Sequence, residues 1–143
     1  MRGKKGFTIV ELAAVVAVFL IMLAALGPFV HIAKVRKARI DCAGNIMKIS
    51  LALHSYSAEH DGVFPPRLGD LYSNYITDEK VFDCPTTKNI GTKDKPEYIY
   101  TTGRTELSPP KEIIVQDADG NHKKSGKNIA RINGSVEWLG TAR

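Results

Sequence analysis

The chain has 143 residues, a net charge of +5, 43% hydrophobic residues and two cysteines. Arg2, Lys4 and Lys5 supply three of the five charges, and the remaining +2 is too little to argue for a nucleic-acid partner. Beyond one long apolar run there is material for a single small domain, and no repeat, nucleophile elbow or phosphate loop points to an enzyme.

The first segment, Met1-Arg2-Gly3-Lys4-Lys5, is basic and precedes Gly6-Phe7-Thr8-Ile9-Val10-Glu11-Leu12. From Leu12 to Val30 no side chain is charged over 19 residues, about 28 Å of helix, close to the thickness of a bilayer's hydrocarbon core. A basic start before an apolar run reads first as a secretory signal. This run is longer than a signal needs, and a cut at Leu23-Ala24-Ala25 would discard Glu11 unexplained. A charge near the middle of a membrane helix costs roughly 2.5–3.5 kcal/mol, and less towards the interface. Such a group usually has a partner, and the sequence offers Glu11 none on the same helix, so the partner is expected on another molecule. Gly27-Pro28 predicts a kink or local loosening, or else a proline that a membrane helix tolerates.

Lys34, Arg36, Lys37 and Arg39 follow, read first as a solvated helix face and second as a contact for acidic neighbours or lipid headgroups. Cys42, Ile46, Ile49, Leu53 and Tyr56 then recur at steps of four and three, one apolar stripe on a helix that continues to about Glu59. Met47 and Leu51 are expected to widen the stripe, with Lys48, Ser50 and Ser57 away from its centre. Gly62 should stop the helix, and Pro65-Pro66 forbids its resumption.

The rest reads as a small β head. Tyr98–Thr102 and Glu112–Gln116 are rich in aromatic and β-branched residues. Lys127–Ile132, Asn133-Gly134 and Ser135–Leu139 predict a hairpin with a type I′ turn, Ile132 opposite Ser135 and Ile129 opposite Trp138. Ile129, Val136 and Trp138 would then share the face that covers the helix stripe. Cys42, on the stripe, and Cys84, in a loop before Pro85, are placed to meet, either as a disulfide worth about 3–4 kcal/mol or as two buried thiols. Two cysteines without paired CxxC spacing do not suggest zinc. Asp117, Asp119 and Asn121 form a short acidic loop of the kind that ligates calcium, or a plain turn. No other cofactor is indicated.

The basic start, Gly6 and Phe7-Thr8-Ile9-Val10-Glu11-Leu12 resemble the signature of type IV pilins and type II secretion pseudopilins. The resemblance implies that prepilin peptidase cuts after Gly6 and methylates Phe7 to N-methylphenylalanine. It also implies that Glu11 pairs with the Phe7 amine of a neighbouring subunit. Cys42-Ala43-Gly44-Asn45-Ile46, Val81-Phe82-Asp83-Cys84-Pro85 and Ser135-Val136-Glu137-Trp138-Leu139 resemble the major pseudopilin G-like proteins of planctomycete type. Arg131–Ser135 departs from their usual ending. Relatives of that kind bind calcium late in the head, which adds to the case for Asp117, Asp119 and Asn121.

The expected fold is α+β and pilin-like: a long N-terminal helix, transmembrane in its first half and amphipathic in its second, packed on a small antiparallel sheet. The expected parts are a leader over 1–6, a transmembrane and assembly half over 7–33, an amphipathic half over 34–60 and a head over 61–143. The expected function is structural and not enzymatic: a subunit of a type II secretion pseudopilus or type IV pilus-like filament. Its implied partners are other copies of itself, prepilin peptidase, an inner-membrane assembly platform with minor pilins, and lipid before assembly. The implied location is the bacterial inner membrane, single-pass, leader cytoplasmic and head periplasmic, then a periplasmic or cell-surface filament. Two alternatives stand beside it. One is a membrane-anchored binding or adaptor domain that does not polymerise. The other is a DNA-uptake pilin using Lys34–Arg39 or Lys123, Lys124 and Lys127.

Overall fold

The structure, a computed structural model, describes residues 6–87, 89–122 and 125–140. The leader residues 1–5 and the basic Lys123 and Lys124 lie outside the described residues. The layout is α+β, one long N-terminal helix and a small four-stranded antiparallel sheet. The chain divides into two compact units, one up to Arg36 and one from Lys37 onward.

Helix α1 spans Ile9–Glu59 and is assigned without a break through Gly27 and Pro28. In the first unit its side chains are uncovered all round: Leu12, Phe19, Leu23, Phe29 and Val30 are each at least half exposed. Burying one such side chain is worth roughly 1.5–3 kcal/mol, so a segment of this length forgoes tens of kcal/mol if left in water. Among the described residues, α1 is the one helix long and apolar enough to cross a membrane.

In the second unit α1 becomes one-sided. Cys42, Ile46, Ile49 and Leu53 are at most 1% exposed and hold the centre of the head's core. The edges of the stripe differ from expectation: Met47 and Leu51 are exposed, whereas Ser50 and Ser57 are buried. Burial is centred on the Cys42, Ile46, Ile49, Ser50, Leu53 and Ser57 line. The helix ends at Glu59, where Asp61 (φ 53°) and Gly62 (φ 78°) turn left-handed and the Gly62 amide donates to Ser57 O at 2.8 Å.

Two short 3-10 turns, Leu68–Leu71 and Glu79–Phe82, bring Leu68, Leu71, Val81 and Phe82 into the core. The sheet follows as a meander of β1 (Tyr98–Tyr100), β2 (Ile113–Asp117), β3 (Gly126–Arg131) and β4 (Val136–Gly140), in that spatial order.

The last hairpin departs from the expected register by one residue. Ala130 pairs with Val136, Ile129 with Glu137 and Asn128 with Trp138. The loop has three residues rather than two, because only Gly134 (φ 80°) takes the left-handed conformation and Asn133 does not. The Gly134 amide donates to Arg131 O at 2.9 Å and the Arg131 amide to Ser135 O at 3.0 Å, a type I turn closed by a glycine bulge. Asn133 Oδ1 accepts from the Ser135 amide and hydroxyl, which holds its own backbone in the ordinary region.

Since opposite residues share a face, the shift decides what meets the helix. Tyr98, Asp117, Asn128 and Trp138 form one inward row, and Tyr100, Val115, Ala130 and Val136 the next. Ile129 is buried on the other face, opposite Glu137 and outside the main core cluster.

Candidate functional site

At the N-terminus, Gly6 and Phe7 precede α1 and are exposed, Phe7 at 77%. Among the described residues, a side-chain carbon placed on Gly6 would meet nothing within 4 Å.

Thr8 starts the helix, its carbonyl accepting from the Leu12 amide at 3.1 Å. Its amide and hydroxyl both donate to Glu11 Oε2 at 2.9 Å, and the Glu11 amide donates back to Thr8 Oγ1 at 3.3 Å. This reciprocal capping box satisfies donors that helix geometry leaves orphaned. It also corrects the expectation that Glu11 lacks a partner on its own helix. The partner is Thr8, which supplies neutral donors and leaves the carboxylate's charge uncompensated.

Of the basic cluster, Lys37 pairs with Asp41 at 2.6 Å, and the Arg39 guanidinium lies 3.7 Å from the centre of the Trp138 ring. Lys127 stands 3.7 Å from Asp119. Three of the charges a nucleic-acid surface would use are thus engaged within the head.

The proposed calcium trio is not brought together. Asp117 points inward and is fully buried, Asn121 Nδ2 donates to Glu97 O at 2.9 Å, and Asp119 is 90% exposed. Asp117 instead belongs to a polar centre that spacing along the chain did not disclose. Its Oδ2 accepts from the Asn128 amide at 2.6 Å and from Asn128 Nδ2 at 2.9 Å, and it lies 3.0 Å from His122 Nε2. Asn128 Nδ2 also reaches Arg39 O on α1 at 3.3 Å. Burial pushes the Asp117 carboxyl up, against the hydrogen bonds from Asn128 and His122 that pull it down. Asp117 lies one residue beyond the expected strand Glu112–Gln116, and in the structure it is the last residue of β2, facing inward opposite Tyr98.

Beside this centre Cys42 and Cys84 are joined by a disulfide, with Cα atoms 5.6 Å apart and both side chains fully buried. Asn45 Nδ2 donates to Asp83 O at 2.9 Å, and the Cys84 amide donates to Glu97 Oε2 at 3.2 Å, which holds the loop against α1.

A second cluster ties the end of α1 to the following loop. The Glu106 amide donates to Gly62 O at 2.9 Å. Glu106 Oε1 accepts from Ser57 Oγ at 2.5 Å and lies 2.7 Å from His54 Nδ1. Serine, histidine and a carboxylate meet here in the wrong order for nucleophilic catalysis, because Ser57 donates to the acid and not to the imidazole. Burial raises the Glu106 carboxyl, but the hydrogen bonds from Ser57 and His54 outweigh it and hold the group below its usual range. A carboxyl lowered in the folded state stabilises above its unfolded value of 4.5 and loses that contribution as pH falls. The head's melting temperature is therefore expected to drop on acidification below that value. Glu106→Gln should flatten the drop, as thermal melts across a pH series will show; parallel curves for the two proteins would contradict this.

Residues 1–27 match the family model described as the prokaryotic N-terminal methylation motif. No curated protein and no solved structure matches the chain. The motif covers the basic start, Gly6, Phe7, Glu11 and most of the uncovered apolar segment, consistent with a single membrane anchor. On a pilin-like α+β layout, the chain carries the N-terminal methylation motif that marks type IV pilins and pseudopilins.

Proposed function

We propose that this protein is a structural subunit of a type II secretion pseudopilus or type IV pilus-like filament. It is held in the inner membrane by residues 7–33 and then assembles helix to helix, with the amphipathic half 34–60 carrying the head 61–143. The observation that carries this reading is the methylation motif leading into an apolar helix that no part of its own unit covers. In the membrane, lipid covers that surface, and in a filament the same surface of sister chains replaces lipid.

Gly6 fits the reading: among the described residues no contact calls for glycine there, whereas a cutting enzyme's site that admits backbone closely would. Cleavage after Gly6 removes Lys4 and Lys5 from the place where a neighbour's carboxylate docks, and leaves the Phe7 amine as the cation that Glu11 lacks. The non-polymerising anchor keeps the leader and needs no charge at Glu11. Engagement of Lys37, Arg39 and Lys127 within the head weighs against DNA uptake.

The test is the intact mass of the protein extracted from its host's membranes. The expected mass is that of a chain beginning at Phe7 with one added methyl group, and Gly6→Asp should shift it to the uncut chain. A wild-type protein still beginning at Met1, or beginning beyond Ala25, overturns the reading.

A further inference from the structure

The centre of the head holds four metal-ligating side chains that the filament reading does not use. Cys42 Sγ, Cys84 Sγ, an Asp117 oxygen and a His122 nitrogen all lie within 4.8 Å of one another, and all four residues are buried. His122 Nε2 is 4.0 Å from Cys84 Sγ and 3.0 Å from Asp117 Oδ2. One further observation points to a missing partner: Asp117 Oδ1 is buried and accepts no hydrogen bond, while Oδ2 is held by Asn128. A buried carboxylate oxygen without a donor is costly unless a proton or a cation occupies its lone pairs.

We propose that the dithiol form of the head binds one divalent cation of the zinc class through Cys42, Cys84, Asp117 and His122, so that the disulfide and the metal are alternative occupants of one site.

The donor set is two sulfurs, an imidazole nitrogen and a carboxylate oxygen, which suits a borderline-soft cation in tetrahedral coordination and not calcium. Arms of about 2.0–2.3 Å place tetrahedral donors roughly 3.3–3.8 Å apart, so once the sulfur–sulfur bond is open the two sulfurs separate to that spacing while the widest donor pairs draw in by about an ångström. Asn128 supplies the outer support, its two donors orienting the carboxylate. All four positions come from protein and the site is closed to water, which makes it structural rather than catalytic.

The chemistry balances with a thiol-reducing phosphine as reductant. Phosphine and water convert the disulfide to two thiols, and the phosphine leaves as its oxide. The cation then displaces one proton from each thiol, while His122 binds neutral and Asp117 binds as carboxylate. A newly made chain, in which no disulfide has formed, is already in the dithiol state and needs no reductant.

Cobalt(II) is the probe, added to the full chain in detergent after phosphine reduction without oxygen. One equivalent is expected to give tetrahedral visible bands with a near-ultraviolet thiolate-to-cobalt band, and zinc should displace it. The single tryptophan, Trp138, packs edge-on to His122 at 5.4 Å and should be quenched by the bound cobalt. The oxidised chain should show none of these signals. Asp117→Asn, which keeps the acceptor for Asn128, and His122→Ala should each weaken binding at least tenfold, and the double variant Cys42→Ala, Cys84→Ala should abolish the thiolate band. Circular dichroism separates binding from folding: a reduced head that has unfolded should refold when zinc is added. Cobalt spectra without a thiolate band, equal binding by the oxidised chain, wild-type affinity in both Asp117→Asn and His122→Ala, or an unfolded reduced head that zinc does not restore would overturn the proposal.

Discussion

Glu11→Gln is expected to leave the protein processed and its helix start intact while removing most of the assembled filament. The amide oxygen of glutamine still accepts from the Thr8 amide and hydroxyl, as Glu11 Oε2 does at 2.9 Å. What disappears is the negative charge. Depriving a buried ion pair of one partner costs about 3–5 kcal/mol, which is about two to four orders of magnitude in the association constant at each subunit contact. Glu11→Ala loses the cap as well, a further 0.3–1.5 kcal/mol or so that acts within each subunit. The two variants therefore separate the roles of the same carboxylate. If Glu11 serves only as a cap, glutamine will assemble like the wild type and alanine slightly worse. If its charge meets the Phe7 amine of a neighbour, both will fail to a similar extent. Sedimented filament measured against membrane-retained, correctly processed subunit decides between them, and normal yield from Glu11→Gln would sink the charge-pairing role.

The second large effect belongs to the head. Cys42→Ala should lower its stability by about 4 kcal/mol, because the bond closes a loop with a sequence separation of 42 and restricts the unfolded chain accordingly. For a domain of this size that corresponds to a fall in melting temperature of about 15 °C. The comparison has an internal control. Wild-type protein reduced by a phosphine in metal-free buffer should melt near the variant, and the reductant should not move the variant itself. Equal melting temperatures for oxidised wild type and Cys42→Ala would refute the contribution assigned to the bond. Since both sulfurs are fully buried, the oxidised protein should also show no thiol reactive towards an alkylating agent until it is unfolded and reduced.

Thr8 and Glu11 show how far local reading extends. A threonine three residues before a glutamate at the head of an apolar run is a capping pattern. The same acid stands at the start of an apolar run, where its charge is costly in lipid. Both descriptions hold, since the cap satisfies hydrogen bonds and the charge stays uncompensated. The calcium trio was legible only as a cluster in sequence. Asp117, Asp119 and Asn121 are close along the chain, but β2 ends at Asp117, whose side chain lies in the core, while Asp119 belongs to the following turn and faces solvent.

What could be read from the chain alone was whatever neighbours along it decide. That includes the uncharged span from Leu12 to Val30, the stripe of Cys42, Ile46, Ile49 and Leu53, the stop at Gly62 and the approximate strands. These follow from composition and from periods of 3.6 and 2, which act over a few residues. Folding in three dimensions decided the rest. Asn133 kept an ordinary backbone conformation and left the left-handed position to Gly134, which lengthened the turn by one residue and exchanged the faces of β3 relative to β4. That exchange turned Ile129 away and set Asn128 beside Trp138 in the inward row. Cys42, Cys84, Asp117 and His122 come together only in the folded head, and no spacing rule covers residues brought near by the packing of a helix, a loop and the end of a strand.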